Sequence, residues 1–203
     1  MIHPNTEVRF INDKIGYGVV ATQLIPKGTI TWALDKLDRI FSVKEMNAMK
    51  DPYRTILDTY SYRNNKGEFI LCWDNARFVN HSFNSNCITT AYEFEIAVRD
   101  ILPGEQLTDD YGYLNVSEPF DCIPEKGSLR TRVMPDDILT NYTVWDKKLA
   151  DAFKKFSKVE QPLANLLDAK ILSKAQSIAK GETKMASILT CHYKGNGLAK
   201  HAK

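Results

Sequence analysis

Through the first 115 or so residues no stretch keeps one hydrophobic period for long before a turn residue interrupts it. That punctuation predicts short strands, few helices and many turns, and so a small, mostly β domain. Residues 8–11, 19–22 and 29–33 are β-rich pieces set apart by Asn12-Asp13 and Pro26-Lys27-Gly28. Residues 60–63 and 68–73 flank Asn64-Asn65-Lys66-Gly67, a hairpin signal, and residues 92–98 alternate with period two as a half-buried strand does. Ser42 with Glu45 three positions on is a capping box, which predicts a short helix over 43–50.

After Pro135 the character changes. Trp145, Leu149, Phe153 and Phe156 share one helical face, while Leu163, Leu166, Leu167, Ile171 and Ile178 line a second, with Pro162 near its start. These stripes are packing surface. The polar segment from Gly181 onward is expected to fray. The fold class is thus mostly β (α+β) with C-terminal α-helices.

A chain of 203 residues with 43% hydrophobic and 26% charged content suits one domain with an appendage. The net charge of +2 conceals an asymmetry: residues 1–142 hold 15 Lys and Arg against 20 Asp and Glu, and residues 143–203 hold 12 Lys against 5. An acidic body attracts a basic peptide. A basic tail is either a solvated helix surface or a contact for nucleic acid, and the acidic residues that interrupt its lysines favour the first. No apolar run approaches the length of a membrane span and the N-terminus lacks a signal-peptide stretch, so a cytoplasmic protein without a membrane partner is expected, with nuclear or exported action left open. Cys72, Cys87, Cys122 and Cys191 are far apart and are expected as free thiols.

Three segments carry chemistry. Gly16-Tyr17-Gly18 lets the backbone turn tightly or approach a ligand, but it lacks the third glycine of a dinucleotide site, and a plain turn competes with it. Arg77-Phe78-Val79-Asn80-His81-Ser82 holds an Asn-His pair, with a turn and a satisfied core histidine as the alternative; no second metal ligand stands at helix or hairpin spacing from His81. In Gly104-Glu105-Gln106-Leu107-Thr108-Asp109-Asp110-Tyr111-Gly112, the two aspartates invite a paired-carboxylate reading. On a strand, however, neighbours point to opposite faces and do not share a ligand easily.

Together and in this order the three segments, followed by Asn86-Cys87, resemble the SET domain of protein-lysine methyltransferases over roughly residues 5–115. The resemblance implies small twisted sheets with the Asn-His-Ser segment threaded beneath a loop as a pseudoknot. It implies S-adenosyl-L-methionine as cofactor, with Gly16, Tyr17 and Gly18 against it, Arg77, Phe78, Asn80 and His81 in the motif that holds its amine and closes the site, and Phe120 or Tyr113 stacking on its adenine. Tyr111 matches the catalytic tyrosine at the rim of the lysine channel, beside the cofactor. Tyr60 and Tyr62 are channel candidates, with core tyrosines as the competing reading, and Trp32 is a core aromatic.

The implied division is a SET domain over 1–118, a degenerate post-SET-like segment over 119–135, and a helical extension over 136–203 ending in a flexible basic tail. Many members carry a zinc knuckle after the domain. Here Cys87 and Cys122 alone stand at matching places, and two thiolates do not make a tetrahedral site, so no zinc is expected. Asp109 occupies a position where many members have a second tyrosine. The implied substrate is a protein with an accessible lysine, a histone tail among the candidates. The alternatives are a module that keeps the fold and binds peptide or cofactor without turnover, and a nucleic-acid binder that uses the basic C-terminal helices.

Overall fold

Turn chemistry sets the strand boundaries in the computed structural model, which describes residues 1–196. Strand β1 (Thr6–Asn12) pairs antiparallel with β2 (Gly16–Ala21). The Asn12 side-chain oxygen closes the turn between them by accepting from the Lys14 and Ile15 amides, both at 3.0 Å. Gly16 leaves that turn at φ +79°. Gly16-Tyr17-Gly18 therefore lies on a strand rather than before one. Two further antiparallel sheets follow, β3 (Ile30–Ala33) beside β9 (Phe94–Ala97) and β8 (Cys87–Thr89), and β4 (Arg39–Phe41) beside β6 (Phe69–Leu71) and β5 (Ser61–Arg63). The β5–β6 turn is the predicted one, with Asn64 Oδ1 accepting from Lys66 N and Glu68 N at 2.9 and 3.0 Å.

The capping box of Ser42 and Glu45 forms and starts α1 (Val43–Ala48), two residues shorter than expected. Helix α2 (Tyr53–Tyr60) is absent from the sequence reading, because Leu57 is its one buried position and a single buried residue makes no stripe. Two-residue strands β7 (Asn80–His81) and β10 (Thr108–Asp109) pair in parallel, and β11 (Phe120–Asp121) pairs with β12 (Arg132–Val133).

Helix α3 (Asp137–Phe156) buries Trp145, Leu149, Phe153 and Phe156 as predicted. They join Phe94, Ile96 and Ile88 of the central sheet in one hydrophobic cluster. Gln161 fastens the end of the helix to the start of β3, accepting from Ile30 N at 2.8 Å and donating to Gly28 O at 2.7 Å. The second stripe is not one helix. Residues Ala164–Leu166 form a 3-10 turn, and α4 (Ala169–Ala179) starts after them, where Asp168 accepts from Lys170 N at 2.8 Å.

The segment after Gly181 does not fray as expected. Ile188 is fully buried, its amide donates to Asp146 Oδ1 at 2.8 Å, and Ala186 N donates to Tyr92 Oη at 2.8 Å. Asn115 grips the same segment from both sides, donating to Cys191 O at 2.9 Å and accepting from Tyr193 N at 2.8 Å. The segment is held by Tyr92 and Asn115 of the β domain and by Asp146 of α3, a kind of capture that no local pattern announces. The last residues of the expected basic tail, 197–203, lie outside the described residues. Among the described residues the four cysteines are free and no helix is long and apolar enough to cross a membrane.

Candidate active site

The parallel pair β7–β10 brings the second and third motifs together, Asn80 opposite Thr108 and His81 opposite Asp109. Ser82 N donates to Asp109 O at 2.8 Å, and the Asn86 amide bridges Gln106 O at 2.7 Å and Thr108 N at 2.9 Å. The Asn80 amide nitrogen adds the first motif, donating to Tyr17 O at 3.0 Å and to Gln106 Oε1 at 3.2 Å. A Cβ on Gly18 would stand 2.5 Å from Gln106 Oε1 and 2.7 Å from Asn80 Nδ2, so any other residue would have to push those two side-chain ends aside.

At the centre, Tyr111 N donates to His81 Nδ1 at 3.2 Å, and the Tyr111 hydroxyl donates to Val79 O at 2.7 Å. Accepting at Nδ1 leaves the His81 proton on Nε2, which is buried and has no hydrogen-bond partner. Burial lowers the His81 pKa against the opposing pull of Asp110 and Glu125, so the ring is neutral near pH 7. Burial raises the Tyr111 pKa, which keeps it a phenol. Phe83 and Phe120 flank His81, with ring centroids 4.4 and 6.3 Å away, and Phe120 lies 6.4 Å from Tyr111.

A cavity of about 410 Å³ has Tyr111 in its wall. Tyr60, Tyr62, Arg77 and Phe120 line it with Tyr111, and Trp32, Glu95 and Asp109 do so as well. The predicted residues thus divide into two groups. Tyr60, Tyr62, Arg77, Tyr111 and Phe120 line the cavity; Gly16, Tyr17, Gly18, Asn80 and His81 do not. Phe78 belongs to neither, since its ring backs Tyr60 edge-to-face at 5.5 Å. Tyr17 is 57% exposed and leans on Phe10 at 5.8 Å.

The second group fits a small polar cofactor. The His81 Nε2–H is an unused buried donor, Asn80 Oδ1 accepts no hydrogen bond among the described residues, and a side chain added at Gly16 would meet open space. Residues 16–112 match the sequence model of the SET domain. The chain contains a SET domain. No curated protein matches the chain.

Beyond the SET match, residues 119–135 close the site from outside. Glu125 accepts from Ser82 Oγ at 2.8 Å, Phe83 N at 3.3 Å and Asn84 N at 3.2 Å, which fixes the loop after His81. Arg130 forks between Asp110 and Asp137, at 2.5 Å from the latter, and its guanidinium lies 4.5 Å over the Phe83 ring. Charge pairs therefore join this segment to the SET motifs and to α3. Cys87 is buried in a core cluster while Cys122 borders β11, and no group of three or more His, Cys, Asp or Glu among the described residues could hold a metal.

Of the two residues expected to stack on adenine, Tyr113 is not free to do so. It is buried edge-to-face against Trp145 at 5.2 Å, and its hydroxyl accepts from Asp110 N at 3.1 Å and faces Asp109 Oδ1 at 2.9 Å. The alternation argument for Asp109 and Asp110 does hold, since Asp110 faces Arg130 and Asp109 turns inward. There it meets Glu95, a partner that sequence reasoning missed. Its place in the polar alternation of β9 hid it, although in strand register it sits opposite Trp32.

Proposed function

We propose that the protein is an S-adenosylmethionine-dependent methyltransferase acting on the ε-amine of a lysine in a protein or peptide, for which a basic tail such as a histone's is a suitable substrate. SET domains are typically those of lysine methyltransferases, and the observation that carries the reading is the position of Tyr111 between two compartments. Its backbone bonds to His81 on the side of the unused polar groups, while its ring lines the aromatic cavity. When bound, the cofactor supplies an electrophilic methyl group on a sulfonium.

A free lysine has a pKa of about 10.4, so roughly one in a thousand is neutral near pH 7. Tyr60, Tyr62 and Phe120 give the alkyl stem an apolar wall and exclude water, which favours the neutral amine. The Tyr111 hydroxyl, tied to the Val79 carbonyl, is held in one direction and marks the end of the channel. Alignment of amine and methyl is the main service such a site renders, contributing roughly 7–11 kcal/mol in favourable cases. His81 Nε2–H and Asn80 Oδ1 are the donor and acceptor that would hold the amino-acid end of the cofactor.

Transfer of radiolabelled methyl from S-adenosylmethionine to lysine-bearing peptides, histones and total cell protein tests the reading. Label on lysine, lost in Tyr111→Phe, supports it; cofactor binding without transfer to any protein favours a binding module.

A further inference from the structure

Three carboxyls line the cavity where the acceptor amine would arrive; Asp58 is paired with Arg54, and nothing said so far uses the other two. Glu95 and Asp109 are hydrogen-bonded to each other, and Asp109 also accepts from Tyr113 Oη at 2.9 Å. No Lys or Arg forms an ion pair with either among the described residues. Burial raises both, Asp109 to about 6 and Glu95 well above the usual carboxylate range, so near neutral pH the pair shares one proton and one negative charge. The same cavity holds an independent sign of a missing polar ligand: Trp32 is 4% exposed, lines the wall, and its indole N–H has no partner. A channel for an alkyl stem alone would need neither a buried unpaired donor nor a buried anion, since both cost free energy when uncompensated.

We propose that Glu95 and Asp109 receive the acceptor lysine as its ammonium ion and take from it the proton that must leave before methylation. The inference rests on the methyltransferase reading above. One N–H bond of the ammonium breaks, its electron pair stays on nitrogen, and the proton bonds to the ionised carboxylate oxygen. The result is a neutral amine beside two protonated carboxyls. The nitrogen lone pair then forms the N–C bond to a methylsulfonium donor, while the C–S bond breaks with its electrons to sulfur. The extra proton leaves to solvent through the channel once the product departs.

The surrounding groups leave this pair as the one that titrates. Tyr111, Tyr113 and Tyr62 are held as phenols, and Cys87 and Cys72 as thiols, by burial. Asp110 is committed to Arg130 and Asp58 to Arg54, Asp38 and Glu93 act from farther off, and Arg63 and Arg77 line the cavity wall.

The test is calorimetric titration of n-butylammonium, a lysine side chain without its backbone, into the full chain with and without S-adenosylhomocysteine. Neutral 1-pentanol is the control, and Glu95→Gln and Asp109→Asn are the variants, each checked for fold by circular dichroism. The wild type should bind butylammonium about tenfold or more tighter than pentanol, Asp109→Asn should lose that preference, and Glu95→Gln, which keeps the ionised Asp109, should lose less of it. With a lysine peptide, kcat/KM of Asp109→Asn at neutral pH should fall about 10²-fold and climb about tenfold per pH unit on the alkaline side. Equal butylammonium affinity in wild type and both folded variants, or parallel pH profiles, would overturn the inference. Failure of the wild type to bind S-adenosylhomocysteine would instead count against the methyltransferase reading, because the titration without nucleoside still decides the role of the pair.

Discussion

Tyr111 and His81 come from segments thirty residues apart, yet the backbone amide of one donates to the ring of the other at 3.2 Å, with the two rings 5.4 Å apart. That bond fixes the histidine tautomer and holds the tyrosine, whose ring lines the cavity, in one arrangement. Either residue is therefore readable only through its partner.

The hydroxyl of Tyr111 reaches Val79 O and faces the channel, so its removal should affect alignment before binding. Tyr111→Phe is expected to lower turnover about 10²-fold or more while leaving cofactor affinity within about twofold. Single-turnover kinetics beside calorimetry check this. Equal loss of both quantities would remove Tyr111 from its role.

Arg130 offsets two carboxylates at once, and the Asp110 side chain it neutralises is fully buried. Arg130→Met leaves that charge without a partner and should cost about 3 kcal/mol, the low end for a broken buried pair because Arg130 itself keeps 25% exposure. Urea denaturation measures it. A loss under about 0.5 kcal/mol would mean the clamp over the Asn-His-Ser loop is ornamental.

Because the folded state raises the Glu95 and Asp109 pKa values, it holds their protons more tightly than the unfolded chain does. Their contribution to stability is therefore complete below the unfolded values of about 4 and declines as pH rises, with Asp109 passing its folded value at about 6. Between pH 5 and 8, the wild-type Tm should fall relative to that of Glu95→Gln. Comparing the two cancels the opposite trend of His81, whose lowered pKa costs stability as pH falls. Thermal melts of both proteins across that range check the slope; parallel curves would deny the buried pair.

The returning C-terminal segment is anchored by Ile188, which is fully buried among residues of the central cluster. Ile188→Ala should cost about 2–5 kcal/mol, measured by the same denaturation, whereas a frayed segment would tolerate it with no measurable change.

What the sequence made legible was local. The Asn64 turn, the Ser42 cap and the Trp145 to Phe156 stripe each depend on residues within a few positions of one another, and each forms. The three motifs were legible through their resemblance to a family, not through any period. What escaped depended on distant pairing. Glu95 read as an ordinary polar alternation until β9 and β10 brought it to Asp109, and Tyr113 read as a free ring until α3 covered it with Trp145. The docking of residues 182–196 required Asn115 and Tyr92 from two separate turns and Asp146 from α3.

The most direct measurement is calorimetric titration of S-adenosylmethionine into the wild type and into Asn80→Ala, which removes the amide that ties Tyr17 and Gln106 to the second motif. Saturable one-site binding in the wild type, weakened about tenfold or more in the variant, is the predicted result. No binding to the wild type, or the same affinity in both proteins, would contradict the assignment of the Gly16, Asn80 and His81 side as the cofactor site.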